Sequence, residues 1–127
     1  MPAFELIEDR AADYSNLDPL SLIADNAWCG GIVIGSPLKS WRDVDLANQP
    51  AKLSYNGEME YTNTSAAMGN PLNSLAWLAT LLAEQGRSLK AGDIVMSGST
   101  LATKFANKGD RACYEVEGIG AVEVSIE

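Results

Sequence analysis

The sequence contains no histidine among its 127 residues. This absence excludes a Ser-His-Asp triad, a Cys-His pair, a histidine general base and any zinc site with a histidine ligand. Positive charge is also scarce, since nine Lys and Arg residues stand against 17 Asp and Glu residues and give a net charge of −8. Nucleic-acid binding needs clustered cations, so we expect no nucleic-acid partner.

Long apolar runs and paired cysteine motifs are missing as well. No run reaches the roughly 20 apolar residues of a membrane span, and the acidic start of the chain does not resemble a signal peptide. Cys29 and Cys113 lack the spacing of a redox or zinc motif. These features predict two reduced thiols in a cytoplasmic protein with no membrane partner.

Two local patterns predict the main secondary structure. Asn56-Gly57 lies between alternating apolar and polar runs, which indicates a two-residue β-hairpin. Asn70 and Pro71 are typical of a helix start, and the apolar residues that follow at helical spacing continue to Gln85, before Gly86. The apolar stripe of this helix is wide, so we expect the rest of the protein to cover it.

The remaining patterns predict about seven short strands, one of them at Ile94–Met96, and a short helix that begins at Pro19. Asp43–Asn48 is compatible with either a strand or a loop. The predicted fold class is therefore α+β, with a single domain over residues 1–127. Its sheet is mixed, mostly antiparallel and rolled, and it packs on one main helix.

Glu5 is the first candidate for a functional residue. It shares one face of the predicted strand Ala3–Ile7 with apolar neighbours. A carboxylate on an inward face is costly unless it is paired or binds a metal, and Mg²⁺ is the hard cation that such an oxygen ligand favours. The alternative is that this face of the strand points to water.

Three further residues are candidates, each with a simpler alternative. Asp25 ends the short helix before Gly30-Gly31, where it either lines a cleft or caps the turn. Ser97 and Ser99 follow the predicted strand Ile94–Met96. Their hydroxyls and backbone N–H groups can hold a carboxylate, but the segment lacks the Gly-Lys-Ser/Thr ending of a phosphate loop.

Five segments in order give the chain a resemblance to a known family. Together they resemble the C-terminal half of the 2-keto-4-pentenoate hydratase and 4-oxalocrotonate decarboxylase family, within the fumarylacetoacetate hydrolase superfamily. The resemblance covers essentially the whole chain. The segments are Pro2–Ile7, Ala24–Gly30, Met68–Leu78, Leu89–Ser99 and Gly118–Val122.

The resemblance implies a metal-dependent site. In the family, three acids hold Mg²⁺ or Mn²⁺, and the metal binds a 2-keto acid and stabilises its enolate during hydration or decarboxylation. Glu5 matches the third of these acids, and Asp25 matches a segment that lines the site and is implied to be catalytic. Ser97 and Ser99 match the strand end that contacts the keto-acid portion of the substrate.

The chain also departs from the family pattern. The other two metal ligands form an E-x-E pair upstream in the family, and no segment here replaces it. Glu58-Met59-Glu60 has the same letters but follows the hairpin turn directly, as expected of a solvent-facing edge. Asn70 stands where the family usually has a histidine.

Two functions remain open at this point. The first is a metal-dependent hydratase or decarboxylase acting on 2-keto (di)enoates, completed by a complementary chain that carries the N-terminal half. The second is a non-catalytic half-domain that binds a small molecule or a protein as a homodimer or larger homo-oligomer. Both predict that apolar sheet surface is exposed in the free chain and covered in an assembly.

Overall fold

A computed structural model describes residues 1–127 of the chain. It contains six strands, two α-helices and three single-turn 3₁₀ segments. The 3₁₀ segments are Asn26–Trp28, Trp41–Asp43 and Thr64–Ala66. The helices are α1 (Pro19–Ala24) and α2 (Pro71–Glu84). The strands are β1 (Ala3–Ile7), β2 (Cys29–Ile34), β3 (Pro50–Tyr55), β4 (Glu58–Asn63), β5 (Arg111–Val116) and β6 (Gly120–Ser125).

Four strands form the main sheet in the order β4-β3-β5-β6, and every neighbouring pair is antiparallel. The predicted hairpin joins β3 to β4, with Tyr55 opposite Glu58. Asn56 and Gly57 have φ values of +51° and +89°, as a tight turn of this kind requires. The Asn-Gly prediction is therefore confirmed.

The buried core is small and lies on one face of this sheet. Its apolar members are Ala51 and Leu53 on β3, Val116 on β5 and Val122 on β6, with Ala67 beside them. Ala51 and Leu53 alternate with half-exposed neighbours, so β3 has one buried face. Only seven of 127 residues are buried, which makes each core side chain important for stability.

The strands β1 and β2 form a separate antiparallel pair. This pair meets the main sheet at two places. The Phe4 ring lies 6.3 Å from the Tyr114 ring of β5. Gly35, directly after β2, lies so close to β6 that a Cβ atom there would be 2.5 Å from the Ala121 carbonyl oxygen.

The helix α2 begins as the sequence predicts. The Asn70 side chain accepts a hydrogen bond from the Leu72 N–H at 2.9 Å, and Pro71 is the first helical residue. The expectation that the rest of the protein covers this helix is wrong for the chain by itself, because none of its residues is buried. Trp77 is 61% exposed. Neither α-helix is long and apolar enough to cross a membrane.

Two predicted elements differ in the structure. Ile94–Met96 is not a strand, because no backbone partner lies beside it. Asp43–Asn48 forms the end of a 3₁₀ turn and a loop rather than a strand. The sequence pattern of Ile94–Met96 is that of a strand, but a strand needs a neighbour for its backbone groups. Cys29 and Cys113 are both free thiols, as predicted.

The chain exposes more surface than its mass requires. Its accessible surface is 8922 Å² for 13.5 kDa, whereas a monomeric folded protein of this mass exposes about 6,500 Å². Large apolar side chains are exposed on α1, on α2, on the β1–β2 pair, on β4 and in the loop before β5. An excess of this size is the surface that a stable protein–protein interface covers.

Candidate functional site

A cleft opens between the loop that follows β1 and the segment formed by α1 and the next 3₁₀ turn. It has a volume of about 310 Å³, and a second depression of about 210 Å³ adjoins it. Three residues, Arg10, Asp25 and Trp28, line both. Arg10 is the only cation that lines either cavity. Asp25, a sequence candidate, therefore lies at the boundary of the two cavities.

Asp25 is fixed at the point where α1 ends. Its N–H donates to the Ser21 carbonyl at 2.9 Å, and its carbonyl accepts the Trp28 N–H at 2.9 Å. Its carboxylate lies 3.1 Å from the Arg10 guanidinium, with 28% of the Asp25 side chain exposed and 72% of the Arg10 side chain. Both alternatives from the sequence hold, because the backbone caps the helix while the carboxylate faces a cleft.

The backbone on both walls of the cleft is strained. Asn26, Ala27 and Trp28 have φ values of +51°, +50° and +62°, and Arg10 and Ala11 have +52° and +57°. A left-handed conformation costs an L-residue roughly 1–2 kcal/mol. Strain of this kind is typical of binding and catalytic segments, where the surrounding structure holds it.

Replacing Ala27 by glycine is expected to raise the free energy of unfolding by about 0.5–1 kcal/mol, because glycine has no Cβ to clash in the left-handed region. Ala24→Gly is the matched control. Ala24 lies in the right-handed helix α1, so this change is expected to lower stability by about 0.5–1 kcal/mol. Urea denaturation measures both. Two shifts of the same sign would contradict the assignment of strain to residue 27.

The other acids of the cleft are engaged in local turns. The Tyr14 hydroxyl donates to Asp9 at 2.7 Å, and this bond lowers the pKa of Asp9 and raises the pKa of Tyr14. Hydrogen bonds from Ser15 lower the pKa of Asp13. Bonds from Ser21 lower the pKa of Asp18, the N-cap of α1. These acids shape the loop, which leaves Asp25 as the carboxylate paired with a cation.

Glu5 lies elsewhere, in the middle of β1. It pairs across the strands with Ile32 and shares its face with Ile7 and Ile34. This face is open in the chain, since Ile7, Ile32 and Ile34 are 47%, 37% and 43% exposed. The carboxylate is therefore surrounded by apolar side chains on a sheet face that nothing in residues 1–127 covers.

The structure does not assemble a metal site from these residues. No group of three His, Cys, Asp or Glu side chains comes together that could hold a metal ion. Glu5 does not line either cavity beside Asp25. A single carboxylate does not satisfy Mg²⁺, which needs several oxygen ligands. The residues of this chain alone do not fit the implied metal.

Ser97 and Ser99 lie in the loop before β5, and neither lines the two cavities. The Ser97 carbonyl accepts a hydrogen bond from the Ser74 hydroxyl of α2 at 2.6 Å. The Ser99 hydroxyl donates to the Leu101 carbonyl at 2.5 Å. The structure thus brings Asp25 to a cleft and leaves Glu5, Ser97 and Ser99 outside it.

The sequence does not single out Arg10 or Trp28. Only its distance to Asp25 gives Arg10 a place in the site, and Trp28 lines both cavities. The Tyr14 ring lies 5.3 Å from Trp28 and 6.5 Å from Phe105, edge-on in both cases. No spacing in the sequence links these three aromatic residues.

The sequence of this chain matches a known protein family. Residues 7–127 match the family model described as Fumarylacetoacetate (FAA) hydrolase C-terminal. The chain belongs to this family. It is 35% identical to the 2-keto-4-pentenoate hydratase of Paraburkholderia xenovorans over 128 residues, covering 100% of this chain and 47% of that protein. It is 34% identical to a 4-oxalocrotonate decarboxylase of Pseudomonas putida over 123 residues, covering 96% and 46%.

Solved relatives share the fold. The 4-oxalocrotonate decarboxylase of Pseudomonas putida G7 with magnesium and adipate superposes with a TM-score of 0.88 at 33% identity, covering 99% of this chain and 48% of that chain. The same enzyme with calcium and acetate gives 0.84 at 34% identity, covering 99% and 47%. The chain spans about half the length of the relatives it matches. The α+β fold and the family predicted from sequence are confirmed.

Proposed function

We propose that this chain supplies one half of a metal-dependent enzyme that hydrates or decarboxylates 2-keto (di)enoates. The observation that carries the proposal is the match of essentially the whole chain to hydratases and decarboxylases at 34–35% identity, over 46–47% of their length. A magnesium complex of a solved relative supports a divalent metal in the complete site. The E-x-E acids implied by the resemblance then have to come from outside residues 1–127.

Each candidate residue has a defined part in this proposal. Glu5 is one metal ligand, presented on an open sheet face that the complementary half covers. Asp25 is the proton-transfer residue in the cleft, and its neighbour Arg10, 3.1 Å away, offers a cation for the substrate carboxylate. Ser97 and Ser99 contact the keto-acid portion after the halves assemble. The metal would polarise the keto oxygen of the substrate.

A fusion protein tests the proposal. The half of the Pseudomonas putida decarboxylase that this chain does not match is placed before residues 1–127. We expect the fusion to bind Mg²⁺ and to consume 2-keto-4-pentenoate or 4-oxalocrotonate, followed by ultraviolet absorbance. The isolated chain is expected to bind Mg²⁺ no tighter than about millimolar in calorimetry, because it lacks the other ligands.

Variants of the fusion identify the residues. Glu5→Gln is expected to lower activity at least about 100-fold, because it removes charge and coordination from a hard cation. Asp25→Asn tests proton transfer in the same assay. Glu117→Gln is the matched control, since Glu117 is an exposed acid outside the cleft. Equal activity of the Glu5→Gln and Glu117→Gln fusions would refute the role of Glu5.

The second candidate function is a non-catalytic homo-oligomer that binds a small molecule in the cleft beside Asp25. The exposed surface of 8922 Å² favours assembly of some kind. Sedimentation of the isolated chain at micromolar concentration separates the candidates. A stable homodimer without Mg²⁺ binding supports this second function, whereas a monomer that becomes active only in the fusion supports the first.

A further inference from the structure

The longest part of the chain without backbone partners is residues 94–106, named here the unpaired segment. None of its N–H or C=O groups takes part in a backbone–backbone hydrogen bond. A few side chains bond to it, among them Ser74 to the Ser97 carbonyl and Thr62 to the Thr100 carbonyl. Backbone N–H and C=O groups are normally hydrogen-bonded in a folded protein. A segment whose groups are free can therefore pair with an added strand.

The first residues of the unpaired segment are arranged like a strand. Ile94 and Met96 are 51% and 38% exposed, while Val95 and Ser97 between and after them are half-buried. This alternation is the period of two that a strand with one covered face shows. The sequence also predicts a strand here. The segment therefore has the side-chain pattern of a strand and lacks only the neighbour.

One backbone edge of Ile94–Ser97 already has a hydrogen-bond partner. In a strand, the N–H and C=O of one residue point to the same edge, and successive residues alternate between edges. The Ser97 carbonyl faces α2, where it accepts the Ser74 hydroxyl at 2.6 Å. Val95 shares that edge. The backbone groups of Ile94 and Met96 therefore point to the opposite edge, where nothing in the chain pairs with them.

The charge around the unpaired segment indicates the chemistry of its partner. Residues 87–111 contain five of the nine Lys and Arg residues of the chain but only two of its 17 acids. The cations are Arg87, Lys90, Lys104, Lys108 and Arg111, and Lys104 is already paired with Glu60 of β4. The other four still outnumber the two acids, so a strand added here runs beside a net positive stretch of an otherwise acidic chain, and acidic side chains on that strand are favoured.

The same charge argues against a second copy as the partner. Pairing of two copies through this segment would bring two positive regions together, on molecules that each carry a net charge of −8. The exposed area does not identify the partner, but it indicates how large the interface is. The surface beyond that of a typical monomer is about 2,400 Å², which is enough for the large interface of an obligate complex.

We infer that the backbone edge of Ile94 and Met96 docks an extended, acidic strand supplied from outside residues 1–127. The inference rests on the proposed function, in which a complementary half completes the fold, and it names the surface and the chemistry of that contact. Main-chain hydrogen bonds supply the affinity, and Ile94 and Met96 lie in apolar contact with the added strand.

Hydrogen exchange compares the isolated chain with the fusion described above. We expect the Ile94 and Met96 amides to exchange rapidly in the isolated chain and at least about tenfold more slowly in the fusion. In the fusion, Met96→Pro removes one N–H of the docking edge and is expected to abolish protection at Ile94. Met96→Leu keeps the N–H and is expected to retain protection.

The outcomes separate the two proposals. An active fusion whose Ile94 and Met96 amides exchange as in the isolated chain overturns the docking inference and leaves the proposed function intact. Protected amides in an inactive fusion support the docking inference and count against the enzyme. Protection that survives Met96→Pro also overturns the inference, since the edge would then be covered without backbone pairing.

Peptides test the charge of the partner independently. Two labelled peptides of about ten residues, a typical upper strand length, alternate valine with glutamate in one and with lysine in the other. Fluorescence anisotropy with the isolated chain is expected to show about tenfold tighter binding of the glutamate peptide at low salt. Equal binding of the two, or tighter binding of the lysine peptide, refutes an acidic partner.

Discussion

Replacing Leu53 by alanine is expected to lower the free energy of unfolding by about 2–5 kcal/mol. Leu53 is 5% exposed and lies on β3, between β4 and β5. Its loss leaves a cavity that the hydrogen-bonded strands on either side do not close easily. A protein with so few buried residues loses a large share of a total stability of about 5–15 kcal/mol. Urea denaturation monitored by circular dichroism gives the midpoint and slope.

The matched control is Leu20→Ala, the same chemical change on α1. Leu20 is 73% exposed, so its replacement is expected to change stability by about 0.5 kcal/mol or less. If the two variants unfold at the same urea concentration, the core does not lie on the face of the sheet that carries Leu53.

Gly35→Ala is expected to destabilise the chain by about 1–3 kcal/mol, the range for an overpacked site. The new Cβ would lie 2.5 Å from the Ala121 carbonyl oxygen and 3.2 Å from the Pro2 carbonyl oxygen. Both atoms belong to backbone, which cannot rotate away as a side chain does. The change would push the β1–β2 pair away from β6. Thermal unfolding and exchange of the Gly35 amide, which donates to Pro2 at 2.9 Å, report this separation.

Gly31→Ala provides the control on the same strand pair. No heavy atom lies within 4 Å of a Cβ built at Gly31, so alanine there is expected to be neutral, or to stabilise by about 0.4–1 kcal/mol through a less flexible unfolded chain. Equal destabilisation by the two changes would show that the loss comes from glycine removal in β2 and not from the contact with β6.

Local chemistry explains which parts of the fold the sequence could predict. Asn56-Gly57 and Asn70-Pro71 act through the conformations of their own backbones, so each sets a turn or a helix start without help from distant residues. Ile94–Met96 is different. Its alternation is correct for a strand, but a strand exists only where a neighbour accepts its hydrogen bonds. Residues 1–127 do not supply that neighbour, and no local pattern in the sequence reveals whether a neighbour is present.

The candidate site also combines local features with long-range contacts. The position of Asp25, at a helix end before two glycines, was compatible with a cleft or with a capped turn, and only the resemblance to the family implied a catalytic role. The pairing of Asp25 with Arg10 joins residues that are fifteen positions apart, and only the folded chain brings them together. For Glu5, the sequence left two possibilities, an inward face shared with apolar neighbours and a face that points to water. The structure shows that face open, because no other part of residues 1–127 packs against it.

The unpaired segment makes residues 1–127 prone to aggregation when they are produced alone. A bare strand edge with exposed Ile94 and Met96 is a template on which other chains can add, and one carbonyl–amide ladder needs no sequence match. Aggregation through that edge competes with productive assembly and rises with concentration. When residues 1–127 are expressed alone, co-expression with a strand donor is therefore expected to raise the yield of soluble protein.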